Sequence, residues 1–282
     1  MVLNHDRDGC ELADWLHAHE RVGVVLGPGG RGDAGLVLRW LDAARWLGGR
    51  GVTHVVTISG QDYPLRPLPE LHRALAESGD GFAEHFPVLR AGSHWPLREG
   101  RSRYLYSWRS LRPLGPRAKA RLRPLQLVNR LQPWWRVNVS YDRLRVGRRT
   151  GSGLPAGWEP WGGSFFTNLS WRAVERVLAA AEDESVMAWA RRSLVVDEAF
   201  LQTVLVNDGS FALVDTAGRY YDFSGTRHGS PRTLATLDDV RRARASGAFF
   251  GRKWDPDAPE QVWATLDAGL APSAERSPEA WR

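Results

Sequence analysis

Apolar positions in the first third of the chain fall into short runs separated by helical stripes. Residues 21–26 (RVGVVL) predict a short buried strand and GPGGRG a turn; residues 33–47 predict a helix with Leu36, Val37, Trp40, Leu41, Ala44 and Leu47 on one face. Residues 54–58 (HVVTI) are a continuous apolar run of strand length, closed by Ser59 and Gly60. Continuity rather than alternation suits a parallel strand buried on both faces. A helix over 67–78 and a strand over 81–86 follow. This βαβαβ order predicts an α/β fold with a mostly parallel sheet.

From about residue 88 to 158 the texture changes. Six prolines and the aromatics Trp95, Tyr104, Tyr106, Trp108, Trp134 and Trp135 are interleaved with arginine. This stretch reads as a long excursion carrying short helices within one domain spanning 1–271. Beyond it, 163–169 (GSFFTNL) predicts a strand, 171–181 a helix, and 197–206 a helix striped by Phe200, Leu201, Val204 and Leu205. Leu213 and residues 220–223 predict strand fragments, Leu237–Ala245 a further helix, and residues 272–282 a flexible tail.

Composition narrows the setting. With 282 residues, 43% of them hydrophobic, the chain can bury a proper core. Fourteen tryptophans suit both that core and a surface that stacks on flat or sugar-like ligands. The single cysteine, Cys10, excludes a disulfide within the chain and any cysteine-ligated zinc or iron–sulfur site. No run approaches the roughly 20 apolar residues of a membrane span, and MVLNHDRDGCELADW lacks the layout of a signal peptide, so a soluble cytoplasmic protein is expected.

Charge is uneven. Between Arg98 and Arg149 stand 14 arginines and Lys119 against Glu99 and Asp142, a net +13, which leaves −7 for the rest of a chain that sums to +6. Such asymmetry points to a local anionic partner, so residues 98–149 are a candidate surface for a phosphate, a nucleic acid or a peripheral lipid face.

Ligands of parallel α/β sheets collect beyond the carboxyl ends of the strands, which directs attention to Ser59, Gly60, Gln61, Asp62, Tyr63 and Pro64. Spacing alone fits a plain turn equally well, with Gly60 supplying backbone freedom. The string VVTISGQDYPLRP, however, resembles the signature of the core-2/I-branching glycosyltransferase family, which also holds peptide xylosyltransferases. Three further strings resemble that family in order and approximate spacing: WGGSFFTNLS at 161–170, VDEAFLQTVL at 196–205 and FFGRKWD at 249–255.

The resemblance implies a GT-A-like, Rossmann-type fold with a mostly parallel central sheet. It also implies transfer of a sugar of N-acetylglucosamine or xylose type from a UDP-sugar to a saccharide or other hydroxyl acceptor, with inversion. The family's general base maps to Glu198. A carboxylate suits that role because an acceptor hydroxyl is a poor nucleophile until its proton is taken. Asp197 beside it reads as a helix N-cap, whose dipole favours an ionised neighbour. The resemblance further implies basic residues in place of a metal at the diphosphate, with no cofactor. Lys253, one of only two lysines, matches the family's lysine, and Arg219 is the preferred arginine, with Arg227, Arg232 and Arg252 as alternatives. His228 reads as a loop residue. Asp62 is the one acid at the strand end where a metal-dependent relative would carry Asp-x-Asp, and Ser59, Gly60 and Asp62 are placed near the donor.

Val2–Asp6 (VLNHD) matches the family's second strand, so the first βα unit is expected to be missing, with Asp6 near the nucleoside. The alternative from another class is an Arg- and aromatic-rich protein that binds nucleic acid or an anionic surface without catalysis.

Overall fold

The computed structural model describes residues 1–6, 11–27, 32–226 and 230–270. Its central sheet has the order Leu213–Val214, Gly81–Phe82, Asn168–Ser170, His54–Val56. Leu213–Val214 is parallel to Gly81–Phe82, and Asn168–Ser170 runs antiparallel to both of its neighbours. Three strands therefore share one direction and the fourth opposes them. Further parallel and antiparallel pairs complete a mixed α/β architecture of several small sheets, in place of the mostly parallel sheet expected. Asn168–Ser170 turns at once into the helix Trp171–Ala180, because the Ser170 side chain accepts a hydrogen bond from the Ala173 N–H and caps the helix.

Helices cover both faces. The helix Gly35–Leu47 buries Val37, Trp40, Leu41 and Ala44 against Val174 and Val177 of Trp171–Ala180 and against Phe200, Leu201, Val204 and Leu205 of Phe200–Asp208. Val55 packs on that core, whereas Val56, the next residue, packs with Leu71, Leu75, Phe249 and Phe250 on the other side. The apolar run of this strand thus serves both sides, but its residues are only half-buried and its partner Asn168–Ser170 is antiparallel, so it is not the fully buried parallel strand expected. A second core joins Leu237–Ala245 to Glu260–Ala268 through Leu234, Val240, Trp254, Val262 and Leu266. The first of these helices starts in a reciprocal capping box, Thr236 with Asp239.

Val2–Asp6 pairs in parallel with Gly23–Gly27. Asp6 stands at the carboxyl end of its strand, and its side chain lies outside the described residues.

The arginine-rich stretch departs most from expectation. It carries the helices Leu97–Tyr104 and Pro116–Leu122 and the 3₁₀ segment Arg123–Arg130, but also an antiparallel sheet of Tyr106–Pro113, Arg143–Arg149 and Trp135–Ser140, with Arg143–Arg149 in the middle. The hairpin turn is Tyr141-Asp142, both at φ 52°, so the usual glycine or asparagine signal is missing. None of the described helices is long and apolar enough to cross a membrane.

The central sheet depends on Gly81. Its φ is 112°, and a Cβ there would stand 2.0 Å from the Asn168 carbonyl oxygen of the adjoining strand. Gly81→Ala is expected to cost more than about 3 kcal/mol in urea unfolding. An unchanged midpoint would contradict the pairing of Gly81 with Leu169.

Candidate active site

Past the carboxyl ends of the strands lies a cavity of about 460 Å³. Glu84 enters it just beyond Gly81–Phe82, and Gly163, Ser164, Phe165 and Phe166 on the approach to Asn168–Ser170. Asp197 and Glu198 come from a 3₁₀ turn, Val196–Glu198, ahead of the helix Phe200–Asp208. Tyr221 closes the strand Arg219–Tyr221, while Arg252 and Lys253 sit at and just past the end of Phe250–Arg252. Phe86, Trp95 and Phe223 complete an aromatic lining.

The acids are held together by backbone contacts. The Gly163 N–H donates to the Glu198 carbonyl at 2.9 Å, and a Cβ on Gly163 would stand 1.8 Å from the Glu84 carbonyl oxygen. Only glycine permits that approach. Gln202 Nε2 donates to the Ser164 carbonyl at 2.7 Å, clipping the same segment to the helix that follows Glu198.

Glu198 Oε2 accepts from Arg103 Nη1 at 2.8 Å. Arg103 also pairs with Glu99 and lies over the Trp95 ring at 4.3 Å. Burial opposes its charge, but Tyr104, Glu198 and Glu99 outweigh burial and hold the guanidinium firmly protonated. Asp197 is not the helix cap that the sequence suggested: Phe200–Asp208 begins after Ala199, with no side-chain cap. The cationic partner of Glu198 is thus Arg103 rather than a helix N-terminus. Asp197 Oδ1 is buried without a hydrogen-bond partner, and burial together with Glu198 pushes this carboxyl up to about 7. Burial also raises Glu84, with His94 and the Ser164 N–H opposing and Asp215 and Glu198 adding to the rise.

Of the expected site residues, Glu198 and Lys253 meet in this cavity. Lys253 Nζ donates to Ser230 Oγ at 2.9 Å. Arg219 does not line this cavity but borders a neighbouring one, which shares Glu84, Phe86, His94 and Tyr221 with it. Its guanidinium donates to the carbonyls of Phe166 at 2.8 Å, Ala217 at 2.7 Å and Thr57, and pairs with Asp62 at 3.4 Å, both side chains being fully buried. Asp62 in turn accepts from the Ser59 N–H at 2.7 Å and from the Ser59 hydroxyl, closing the turn that contains Gly60. Ser59, Gly60 and Asp62 do not line the cavity; they buttress it, and the Gln61 carbonyl accepts from the Trp254 N–H, next to Lys253, at 3.0 Å.

Among the other arginines considered, Arg252 lines the cavity. It lies over the Phe166 ring at 4.0 Å, and its buried Nε has no hydrogen-bond partner. Arg232 is bound to Asp222 at 2.6 Å and to Asp239. Arg227 and His228 lie outside the described residues. Among the described residues no group of three His, Cys, Asp or Glu is arranged to hold a metal. Sequence reasoning passed over Glu84 and Arg103. Glu84 follows an apolar strand and was findable by position, whereas nothing distinguishes Arg103 from its many arginine neighbours. No protein-family model matches the chain, and neither does any curated protein.

A carboxyl raised to about 7 in the folded state binds its proton more tightly there than in the unfolded chain. Its contribution to stability is complete in acid, below its unfolded value, and is lost as pH rises through 7. Asp197→Asn keeps the neutral form at all pH. Its stability relative to the parent should therefore increase between about pH 6 and pH 8, by on the order of 1 kcal/mol or more, in paired urea titrations. A difference independent of pH would contradict the raised carboxyl.

Proposed function

We propose that this chain is an inverting glycosyltransferase with a GT-A-type arrangement. It moves a sugar from a nucleoside-diphosphate donor of UDP type to an acceptor hydroxyl. One observation carries the reading: a cavity beyond the strand ends brings the carboxylate of Glu198 together with the adjacent cations Arg252 and Lys253 on an aromatic lining. The four strings shared with the branching-enzyme family support it, since two of them supply these residues.

Glu198 accepts the proton of the acceptor hydroxyl as its oxygen attacks the anomeric carbon. The bond from that carbon to the diphosphate oxygen breaks with its electron pair, so negative charge grows on the departing nucleoside diphosphate and the anomeric configuration inverts. Arg252 and Lys253 stand where that charge is met, the electrostatic contribution that most lowers such barriers. Arg252 takes the role first given to Arg219, whose donors are committed to backbone carbonyls and Asp62. Arg103 orients the Glu198 carboxylate through the 2.8 Å bond.

Glu198→Gln keeps size and hydrogen bonding but cannot take a proton. Turnover is expected to fall on the order of 10²-fold or more with donor affinity retained, and near-parental turnover would remove Glu198 from the role. Lys253→Ala and Arg252→Ala are expected to raise the dissociation constant for the nucleoside diphosphate as well as slow transfer, because the charge is met in both ground and transition states. Transfer should persist in chelator, and strict dependence on a divalent ion would overturn the assignment of these cations.

A further inference from the structure

The sheet of Tyr106–Pro113, Trp135–Ser140 and Arg143–Arg149, with its 3₁₀ segment Arg123–Arg130, presents a surface that the catalytic reading leaves unused. Residues 100–141 contain no acid. The two flanking acids are taken, Glu99 by Arg103 and Asp142 by Lys119. Arg109, Arg112, Arg121, Arg123, Arg148 and Arg149 are exposed, and none makes an ion pair among the described residues. Elsewhere several arginines are matched, as Arg172 is with Asp80, Arg176 with Asp208 and Arg232 with Asp222 and Asp239.

The same surface exposes large apolar side chains. Leu125, Val128 and Leu131 follow at three-residue spacing, which a 3₁₀ segment places in line, and Leu131 is 83% exposed. The chain then turns through Trp134, 65% exposed, and Trp135, which is paired across the sheet with Arg148. Much of the backbone of this tip already has hydrogen-bond partners. Gln132 Oε1 accepts from the N–H groups of Trp134 and Trp135 at 2.8 and 2.7 Å, and Gln132 Nε2 donates to the Trp135 carbonyl at 2.6 Å. The Arg149 N–H donates to the Trp134 carbonyl at 2.8 Å, and the Tyr106 hydroxyl to that of Pro133. Withdrawing the tip from water therefore leaves none of these backbone groups unsatisfied, which removes the main cost of entering an apolar phase.

We propose that this face docks on an anionic lipid bilayer, with Leu131, Trp134 and Trp135 entering the headgroup region and the unpaired arginines meeting lipid phosphates. Tryptophan favours that depth, and basic residues beside an apolar stripe are the chemistry of a peripheral membrane surface. Exposed leucines and valine in line add nothing to the binding of a nucleic-acid backbone, which sets the bilayer ahead of an oligonucleotide.

The test is co-sedimentation of the full chain with vesicles of equal phosphatidylglycerol and phosphatidylcholine, with phosphatidylcholine alone, and anisotropy with a mixed-sequence single-stranded oligonucleotide at the same salt. Strong binding to the anionic vesicles only is expected. Arg148→Gln/Arg149→Gln should weaken it several-fold per arginine, and Leu131→Ser/Trp134→Ser about tenfold or more, with the melting temperature unchanged in both. If the apolar variant fails to fold, the arginine pair decides alone. Equal binding to both vesicle types, no effect of the variants, or tighter binding to the oligonucleotide than to the vesicles would overturn the proposal.

Discussion

The site hangs on one buried ion pair, Arg219 with Asp62. The strands around it are two or three residues long and supply few ladder bonds of their own. Arg219 compensates by donating to the carbonyl after His54–Val56, to that of Phe166 ahead of Asn168–Ser170, and to its own segment at Ala217. Asp62 completes the cluster from the turn that Ser59 closes. Burial works against the charge on Arg219, so the guanidinium is tolerable there only because Asp62 and the carbonyls surround it. Loss of either partner would leave the other charged and buried, a change that typically costs about 3–5 kcal/mol. The Phe166 carbonyl and Gln61, bonded to the Trp254 N–H, connect this cluster to Phe166 and to Lys253 in the cavity lining.

Legibility in the sequence followed how local each cause was. Helices with an apolar stripe and an end signal, Gly35–Leu47 and Leu237–Ala245, were read close to their bounds because burial and capping are written in neighbouring residues. The arginine-rich sheet escaped because its outward positions are arginine and its turn is Tyr141-Asp142, so neither period nor turn chemistry announced it. Arg219 and Asp62 were placed near the right strand ends and read as donor contacts, whereas in the structure they pair with each other. A charged residue at a strand end looks the same in sequence whether it faces a ligand or another buried charge across 157 residues of chain. Arg103 was hidden by composition, while Asp197 was assigned a cap that the following 3₁₀ turn and Ala199 do not allow.

Electrostatic matching separates the molecule into regions with different tasks. In the body, several arginines are bound to carboxylates. In the cavity, Asp197 Oδ1 and Arg252 Nε are buried without hydrogen-bond partners, as are Asp62 Oδ1 and Arg219 Nε behind it. On the outer sheet, cations stand unpaired beside exposed tryptophan and leucine. Acid, cation and aromatic surface in one cavity match the three needs of sugar transfer: proton removal, charge neutralisation at the leaving group and a face for the sugar ring.

The most direct measurement is release of free nucleoside diphosphate from a panel of nucleotide sugars incubated with the protein and a mixture of saccharide acceptors in the presence of chelator. The account predicts acceptor-dependent release of the diphosphate from at least one UDP-sugar, with the anomeric configuration of the product inverted. No release from any donor, or a product that retains the donor's configuration, would contradict it.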